Sequence, residues 1–106
     1  MSEYVRACSV TALRDEAAIG VEIDGEFVCV AKSKGEVYAI SDICSHADVA
    51  LSEGDVDDGT IECWLHGSRF DLRTGKPTGL PAIRPVPVYP VTVHGDDVFV
   101  DVTTTL

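Results

Sequence analysis

Short runs of alternating apolar and polar residues, separated by tight-turn signals, most constrain how this chain folds. Successive side chains of a strand point to opposite faces, so such runs are typical of strands with one buried face. The runs lie at residues 21–23, 26–32, 36–41, 60–64, 86–93 and 97–102. The turn signals are Asp24-Gly25, Ser33-Lys34-Gly35, Asp58-Gly59, Thr74-Gly75 and Gly95-Asp96, at spacings typical of antiparallel hairpins. The sequence therefore predicts an all-β fold.

Two segments fit the alternating pattern less well. Residues 11–20 have no clear apolar stripe, so a helical turn and a loop are both open. Pro85, Pro87 and Pro90 follow one another closely near the end of the chain. Because proline cannot donate to a strand ladder, these residues predict an edge strand or an irregular path rather than a central strand.

Length and charge limit the classes of function. A chain of 106 residues is expected to form one domain, residues 1–106, and its hydrophobic fraction of 45% is enough for a core. The net charge of −10 argues against binding nucleic acid or anionic lipid, because both need a concentrated basic surface. The N-terminus does not resemble a secretory signal, and no segment is apolar for the length of a membrane span. We expect a cytoplasmic monomer.

Two cysteine–histidine pairs, Cys44-Ser45-His46 and Cys63-Trp64-Leu65-His66, each follow a strand-like run. Without an export signal, reduced metal-binding thiolates are favoured over a disulfide scaffold. A zinc finger takes both cysteines from one hairpin and both histidines from a helix, whereas here each loop supplies one of each. This mixed pattern suits two metal ions side by side. Such ligation occurs in Rieske centres, where two histidines replace two cysteines on one iron of a [2Fe–2S] cluster.

The spacing CxHx16CxxH, followed by Gly67 and Ser68, resembles the Rieske [2Fe–2S] family. It is most similar to the small soluble Rieske ferredoxins that serve bacterial ring-hydroxylating oxygenases. The resemblance extends through VYAISDIC, ECWLHGSRFDLRTGKP and YPVTVHGDDVFV. It implies an antiparallel β-sandwich base and a small cluster-binding subdomain formed by two loops, within about residues 42–82.

The resemblance also implies one Rieske-type [2Fe–2S] cluster per chain and assigns its ligands. Cys44 and Cys63 would hold the inner iron, and His46 and His66 the outer iron near the exposed tip. Ser68 would place a hydroxyl close to the cluster.

The residues around the ligands predict a low reduction potential. Respiratory Rieske proteins carry an extra cysteine in each loop, joined as a disulfide, and a tyrosine near the cluster. This chain has Val49, Leu65 and Phe70 at the corresponding positions. Loss of a hydrogen-bond donor near the sulfurs destabilises the reduced state. We therefore expect a potential below zero millivolts, in the lower part of the known range of roughly −150 to +300 mV.

The chain is predicted to carry electrons and not to be an enzyme. A Rieske oxygenase also needs a second iron held by two histidines and a carboxylate, but only His94 remains after the cluster is ligated. A glycine fingerprint for a dinucleotide is also missing. The expected partners are an NAD(P)H-dependent flavoprotein ferredoxin reductase and a terminal Rieske oxygenase. The alternatives are a Rieske subunit linked to iron–sulfur cluster assembly or nitrite reduction, and a zinc-stabilised interaction module.

Three residues outside the motif have ordinary interpretations. Cys8 and Cys29 lie in strand-like runs without a neighbouring histidine, so we expect buried thiols that act as small hydrophobes. His94 precedes a turn signal and is expected to be solvated.

The stretch from Gly35 to Ser68 contains no lysine or arginine and is rich in acidic residues. Two interpretations are open: the acids solvate a loop-rich face, or Asp42 and Asp48 help steer basic partner surfaces toward the cluster. Trp64 and Leu65 lie between two expected ligands. We expect them to pack inside the loop rather than to contact a partner.

Overall fold

Ten short strands form three antiparallel sheets within residues 3–43, 49–64, 67–78 and 84–106, the residues that the computed structural model describes. The strands are β1 (Val5–Ser9), β2 (Ala17–Ile23), β3 (Glu26–Ser33), β4 (Glu36–Ser41), β5 (Val56–Asp57), β6 (Thr60–Glu62), β7 (Arg69–Asp71), β8 (Val88–Tyr89), β9 (Val91–His94) and β10 (Asp97–Val100). This architecture confirms the all-β prediction.

The sheets are ordered β2-β3-β4-β8, β1-β10-β9 and β5-β6-β7. The four-stranded sheet lies between two buried clusters, and its strand β3 contributes to both. Val28 and Val30 pack in one cluster with Val98 of β10. Cys29 and Ala31, which point to the opposite face, pack in the other cluster with residues of the β5-β6-β7 sheet. All four of these β3 side chains are fully buried.

Three hairpin turns lie at predicted turn signals. The turns are Asp24-Gly25 between β2 and β3, Lys34-Gly35 between β3 and β4, and Asp58-Gly59 between β5 and β6. The φ angles are positive at both residues of each turn, at 51° and 84°, 53° and 78°, and 51° and 77° respectively. This pattern belongs to the type I′ turn, whose twist matches that of the flanking strands.

The structure differs from the sequence prediction in several elements. Residues 17–20 are the first part of β2, while the 3-10 turn at Val10–Ala12 is the helical feature of this region. The strands β5 and β7 lie outside the predicted runs, and β1 corresponds to the strand-like run expected around Cys8. The run at 86–93 divides at Pro90 into β8 and β9, and both lie at sheet edges, as the prolines predicted.

Within the part of the chain that is described, no helix has the length and apolar character needed to cross a membrane.

Asp101 is a fully buried carboxylate just beyond β10. Its Oδ1 accepts hydrogen bonds from the hydroxyl of Thr103, at 2.5 Å, and from the Thr103 backbone N–H, at 2.9 Å. The pKa of Asp101 is below its ordinary value, mainly because its carboxylate accepts the hydrogen bond of the Thr103 hydroxyl. This effect outweighs desolvation, which raises the pKa. Because the folded-state pKa is lowered, the stabilisation is present above the unfolded pKa of about 3.9 and is lost as the pH falls through the folded value.

We expect Asp101→Asn to lower the thermal midpoint at neutral pH, because the buried amide keeps the acceptor oxygen but loses the charge. The variant should also lose less stability than wild type below about pH 4. Thermal melts followed by circular dichroism, from neutral to acid pH, measure both effects. Asp96→Asn in the exposed turn before β10 is the matched control. Equal pH dependence of the two variants would contradict this role of Asp101.

Candidate metal centre

The segment expected to carry the first ligand pair, Cys44 and His46, is closed at its base by paired backbone. Ile43 and Ala50 form an antiparallel bridge, and the carbonyl of Asp42 accepts the N–H of Leu51 at 2.7 Å. Asp42 is buried, with 7% of its surface exposed. Its carboxylate accepts the backbone N–H of Ser52 at 2.7 Å and the Ser52 hydroxyl at 3.0 Å. The two ends of this segment are therefore held together and fixed to the end of β4.

Cys63 lies where the chain leaves β6, and local backbone hydrogen bonds close the second loop around it. Its N–H donates to the carbonyl of Ser68 at 2.6 Å, and its carbonyl accepts the N–H of Gly67 at 2.9 Å. Gly67 has a φ of 76°, which glycine adopts without strain. The Cys63 side chain is fully buried, in the same cluster as Leu51 and Phe70, and its thiol is free.

Gly54 brings the two loop regions into direct backbone contact. A Cβ at this position would lie 1.6 Å from the carbonyl oxygen of Glu62, so a larger residue requires the backbone to move. The adjacent Asp55 carbonyl accepts the Glu62 N–H at 2.8 Å. Because Glu62 directly precedes Cys63, this contact fixes the second loop relative to the segment that follows the first.

The chain after the second loop folds back on β7. Pro77 forms a bridge with Phe70, and the N–H of Thr78 donates to the carbonyl of Arg69 at 2.8 Å. Gly75 has a φ of 74° and lies against Val86. The N–H of Val86 donates to the carbonyl of Gly75 at 2.8 Å. Residues 79–83 lie outside the described part of the chain.

Of the predicted site residues, the structure describes Cys63 and Ser68, and both are buried. Cys44, His46 and His66 lie outside the described residues, so the full ligand set stays a prediction. The chemistry of Cys63 fits an inner ligand. A buried thiol outside any disulfide, at a tight turn held by two backbone hydrogen bonds, is a pre-positioned donor for a soft metal.

The other described cysteines have the character of buried hydrophobes, as predicted. Burial raises the pKa of the Cys29 thiol, and the nearby charge of Asp42 raises it further. Burial also raises the pKa of Cys8, against a smaller opposing effect of Arg6. Both thiols therefore stay protonated at neutral pH, which is the unreactive form of cysteine.

Around the site, the steering role left open for Asp42 is excluded, and the prediction that Trp64 packs inward is wrong. Asp42 is buried and bonded to Ser52, so it is not available to steer a partner, and its role is to hold the loop. Trp64 was expected to pack inside the loop, but it is 49% exposed. Asp48 and Leu65 lie outside the described residues. His94 is exposed as predicted, with its ring edge-on to Phe99 at 6.0 Å.

The model of the Rieske [2Fe–2S] domain matches residues 3–90. The chain belongs to the Rieske [2Fe–2S] domain family. It is 41% identical over 98 residues to the 3-phenylpropionate/cinnamic acid dioxygenase ferredoxin subunit of Escherichia coli K12, covering 92% of each chain. This membership implies a Rieske-type [2Fe–2S] cluster as the cofactor, as predicted.

Two solved structures share this Rieske fold along most of their length. The ferredoxin of carbazole 1,9a-dioxygenase from Nocardioides aromaticivorans IC177 matches with a TM-score of 0.89 and 40% identity, over 94% of this chain and 98% of that one. A ferredoxin from a complex of reduced oxygenase and oxidised ferredoxin, also of carbazole 1,9a-dioxygenase, matches with a TM-score of 0.88 and 29% identity, over 95% and 94% of the two chains. The prediction of an oxygenase-type Rieske ferredoxin, an electron-transfer component, is confirmed.

Phe70→Tyr tests the argument for a low potential. Phe70 is fully buried in the same hydrophobic core as Cys63, at the position where respiratory Rieske proteins carry a tyrosine, so the variant restores that hydroxyl. If that hydroxyl donates to a cluster sulfur, a net hydrogen bond of about 1 kcal/mol raises a one-electron potential by roughly 40 mV. Voltammetry of the holoprotein measures the shift. Phe99→Tyr in β10 is the control, and equal potentials in the two variants would contradict the argument.

Proposed function

We propose that this chain is the ferredoxin component of a multicomponent ring-hydroxylating oxygenase. It takes electrons one at a time from an NAD(P)H-dependent flavoprotein reductase and passes them to a terminal Rieske oxygenase. The match to the Escherichia coli ferredoxin subunit, at 41% identity over 92% of each chain, is the main support. Since NAD(P)H is a cytoplasmic reductant, we place the protein in the cytoplasm, where we expect it to act as a monomer.

The proposed cluster is held by Cys44 and Cys63 on the inner iron and by His46 and His66 on the outer iron. When bound, it supplies reversible one-electron exchange. The burial of Cys63 supports its assignment as an inward-pointing ligand. The bridge between Ile43 and Ala50 supports a second ligand loop between these two residues. Residues 42–82 remain the proposed cluster-binding portion of a single domain. Val49, which packs against the buried cluster, supports a loop without a disulfide and a low potential.

The proposed docking surface is formed by exposed residues that adjoin the expected ligands in sequence. Trp64 is 49% exposed and directly follows Cys63, while Ile43 is 41% exposed and directly precedes Cys44. Three exposed acidic residues lie between the two expected ligand pairs in the sequence: Glu53, Asp55 and Asp57. Exposed apolar residues together with exposed acidic residues suit brief contact with partners that carry basic residues. Redox encounters of this kind usually bury less than about 1,200 Å².

His66→Cys tests the ligand assignment. A thiolate in place of an imidazole on the outer iron should change the visible and EPR spectra and lower the potential. His94→Cys, at the exposed turn histidine, is the matched control and should leave the spectra unchanged. Unchanged spectra for His66→Cys would remove His66 from the ligand set. A colourless wild-type protein with stoichiometric zinc would favour the interaction module instead.

Electron delivery tests the proposed role. With NADH and a flavoprotein reductase, the holoprotein should be reduced and should then support product formation by a terminal oxygenase. The 3-phenylpropionate and carbazole enzymes are the first to try, because relatives of this chain are named for them. Trp64→Ala should raise the KM for the ferredoxin by about tenfold, since a central tryptophan commonly contributes over 1 kcal/mol to an interface.

Val93→Ala is the matched control for Trp64→Ala, because Val93 is 45% exposed on β9, away from the sheet that leads to Cys63. Equal effects of the two substitutions would contradict the docking surface. Failure of the wild-type holoprotein to pass electrons to any terminal oxygenase would contradict the proposed role itself.

A further inference from the structure

Glu16 has an unfavourable backbone conformation in the turn before β2. Its φ is 57°, in the left-handed region, where a residue with a Cβ loses roughly 1–2 kcal/mol. The turn residue Lys34 has a similar φ of 53°, so what distinguishes Glu16 is the set of hydrogen bonds that its side chain accepts.

The carboxylate of Glu16 accepts hydrogen bonds from two separate hairpin turns. Oε1 accepts the Ser33 hydroxyl at 2.8 Å and the Lys34 N–H at 3.0 Å, while Oε2 accepts the Asp58 N–H at 3.1 Å. The Ser33 oxygen is buried and in turn accepts the Gly59 N–H at 2.8 Å. We call these five residues the Glu16 clasp.

The Glu16 clasp joins the four-stranded sheet to the sheet that leads to the metal centre. Lys34 belongs to the β3–β4 turn, and Asp58 and Gly59 form the β5–β6 turn. The carbonyl of Gly59 also accepts the N–H of Leu72 at 2.9 Å, so the end of β7 is tied to the same point. From Gly59, β6 runs directly to Cys63, about 13 Å away at the usual rise of a strand.

A second polar connection joins the four-stranded sheet to the part of the chain that carries the metal centre. It lies at the opposite end of β4 from the Glu16 clasp, where Asp42 is bonded to Ser52. Between the two connections, apolar side chains of β3 and β4 pack against Ile61, Leu72 and their neighbours. Apolar packing is non-directional, so it holds the two halves together but does not by itself fix their orientation. Hydrogen bonds to a charged group are directional and stronger than neutral ones.

We infer that Glu16 is a positioning residue for the metal centre. It fixes the start of β6 on the β3–β4 hairpin, and β6 carries that alignment to Cys63. The exposed ion pair between Lys34 and Asp58 spans the same two turns, but solvent weakens it, so the Glu16 carboxylate is the main connection at this end.

The variant Glu16→Gly tests whether the side chain of Glu16 positions the metal centre or whether the residue has only a backbone role. Glycine relieves the strain at positive φ, so a residue with only a backbone role would be replaced without harm. We expect the opposite for the metal centre. Release of iron to a chelator, followed by loss of visible absorbance, should be about tenfold faster, which corresponds to the loss of roughly one charge-assisted hydrogen bond. Amide hydrogen exchange in residues 55–62 should also be faster.

Three further variants make the comparison specific. Glu16→Gln keeps one acceptor oxygen but turns its amide NH2 toward the donor groups of the other turn, so it should release iron faster than wild type and more slowly than Glu16→Gly. Glu22→Ala removes an exposed carboxylate of β2 and should release iron at the wild-type rate. Val98→Ala lowers global stability through the other buried cluster. With each variant measured at the same number of degrees below its own thermal midpoint, Val98→Ala should release iron more slowly than Glu16→Gly.

Two results would overturn the inference. The first is that Glu16→Gly releases iron no faster than Val98→Ala, with each measured at the same number of degrees below its own thermal midpoint. The second is that amide hydrogen exchange in residues 55–62 is unchanged. If Glu16→Gly does not fold, Ser33→Ala removes the acceptor of Gly59 while keeping Glu16, and the same two changes are expected. Neither measurement uses a reductase or an oxygenase, so its outcome is independent of the proposed electron-transfer partners.

Discussion

The burial of β3 on both faces is the constraint on which the rest of the structure depends. Val28 and Val30 pack toward the sheet of β1, β9 and β10, while Cys29 and Ala31 pack toward the half that carries Cys63. Fully burying a valine side chain contributes roughly 1.5–3 kcal/mol, so both halves are stabilised through the same strand. A polar side chain at any of these four positions would lose its contact with water. The half that carries Cys63 thus packs on a strand with four consecutive fully buried side chains.

The support of the site comes mainly from backbone groups and from small residues. Gly54 permits the contact with Glu62, and Gly67 permits the turn after Cys63. Gly20 of β2 has a related role, because a Cβ there would lie 2.7 Å from the Ser52 hydroxyl that is bonded to Asp42. An electron carrier needs its ligands held in place but its outer surface accessible. This combination of a closed base with an exposed Trp64 meets both requirements.

Particular elements show how far the sequence could be interpreted. The strand β4 was predicted with its observed bounds, because its alternation is regular and a Lys-Gly turn precedes it. The strand β7 has three residues, too few for a period of two to be recognised. In β2, Gly20 interrupts the apolar pattern, and pairing with β3 along seven residues overrides its low strand propensity. Trp64 was misjudged because alternation does not indicate whether a loop side chain packs inward or outward.

The sequence by itself determined the all-β class, the positions of the hairpin turns and the resemblance to Rieske proteins, because these depend on local spacing and on the chemistry of individual side chains. The tertiary structure decided the roles of Asp42, Gly54 and Glu16, since each acts on a segment distant along the chain. Nothing local distinguishes Asp42, which holds a loop, from the exposed acids around it. That difference depends on which backbone N–H groups the fold brings within reach of the carboxylate.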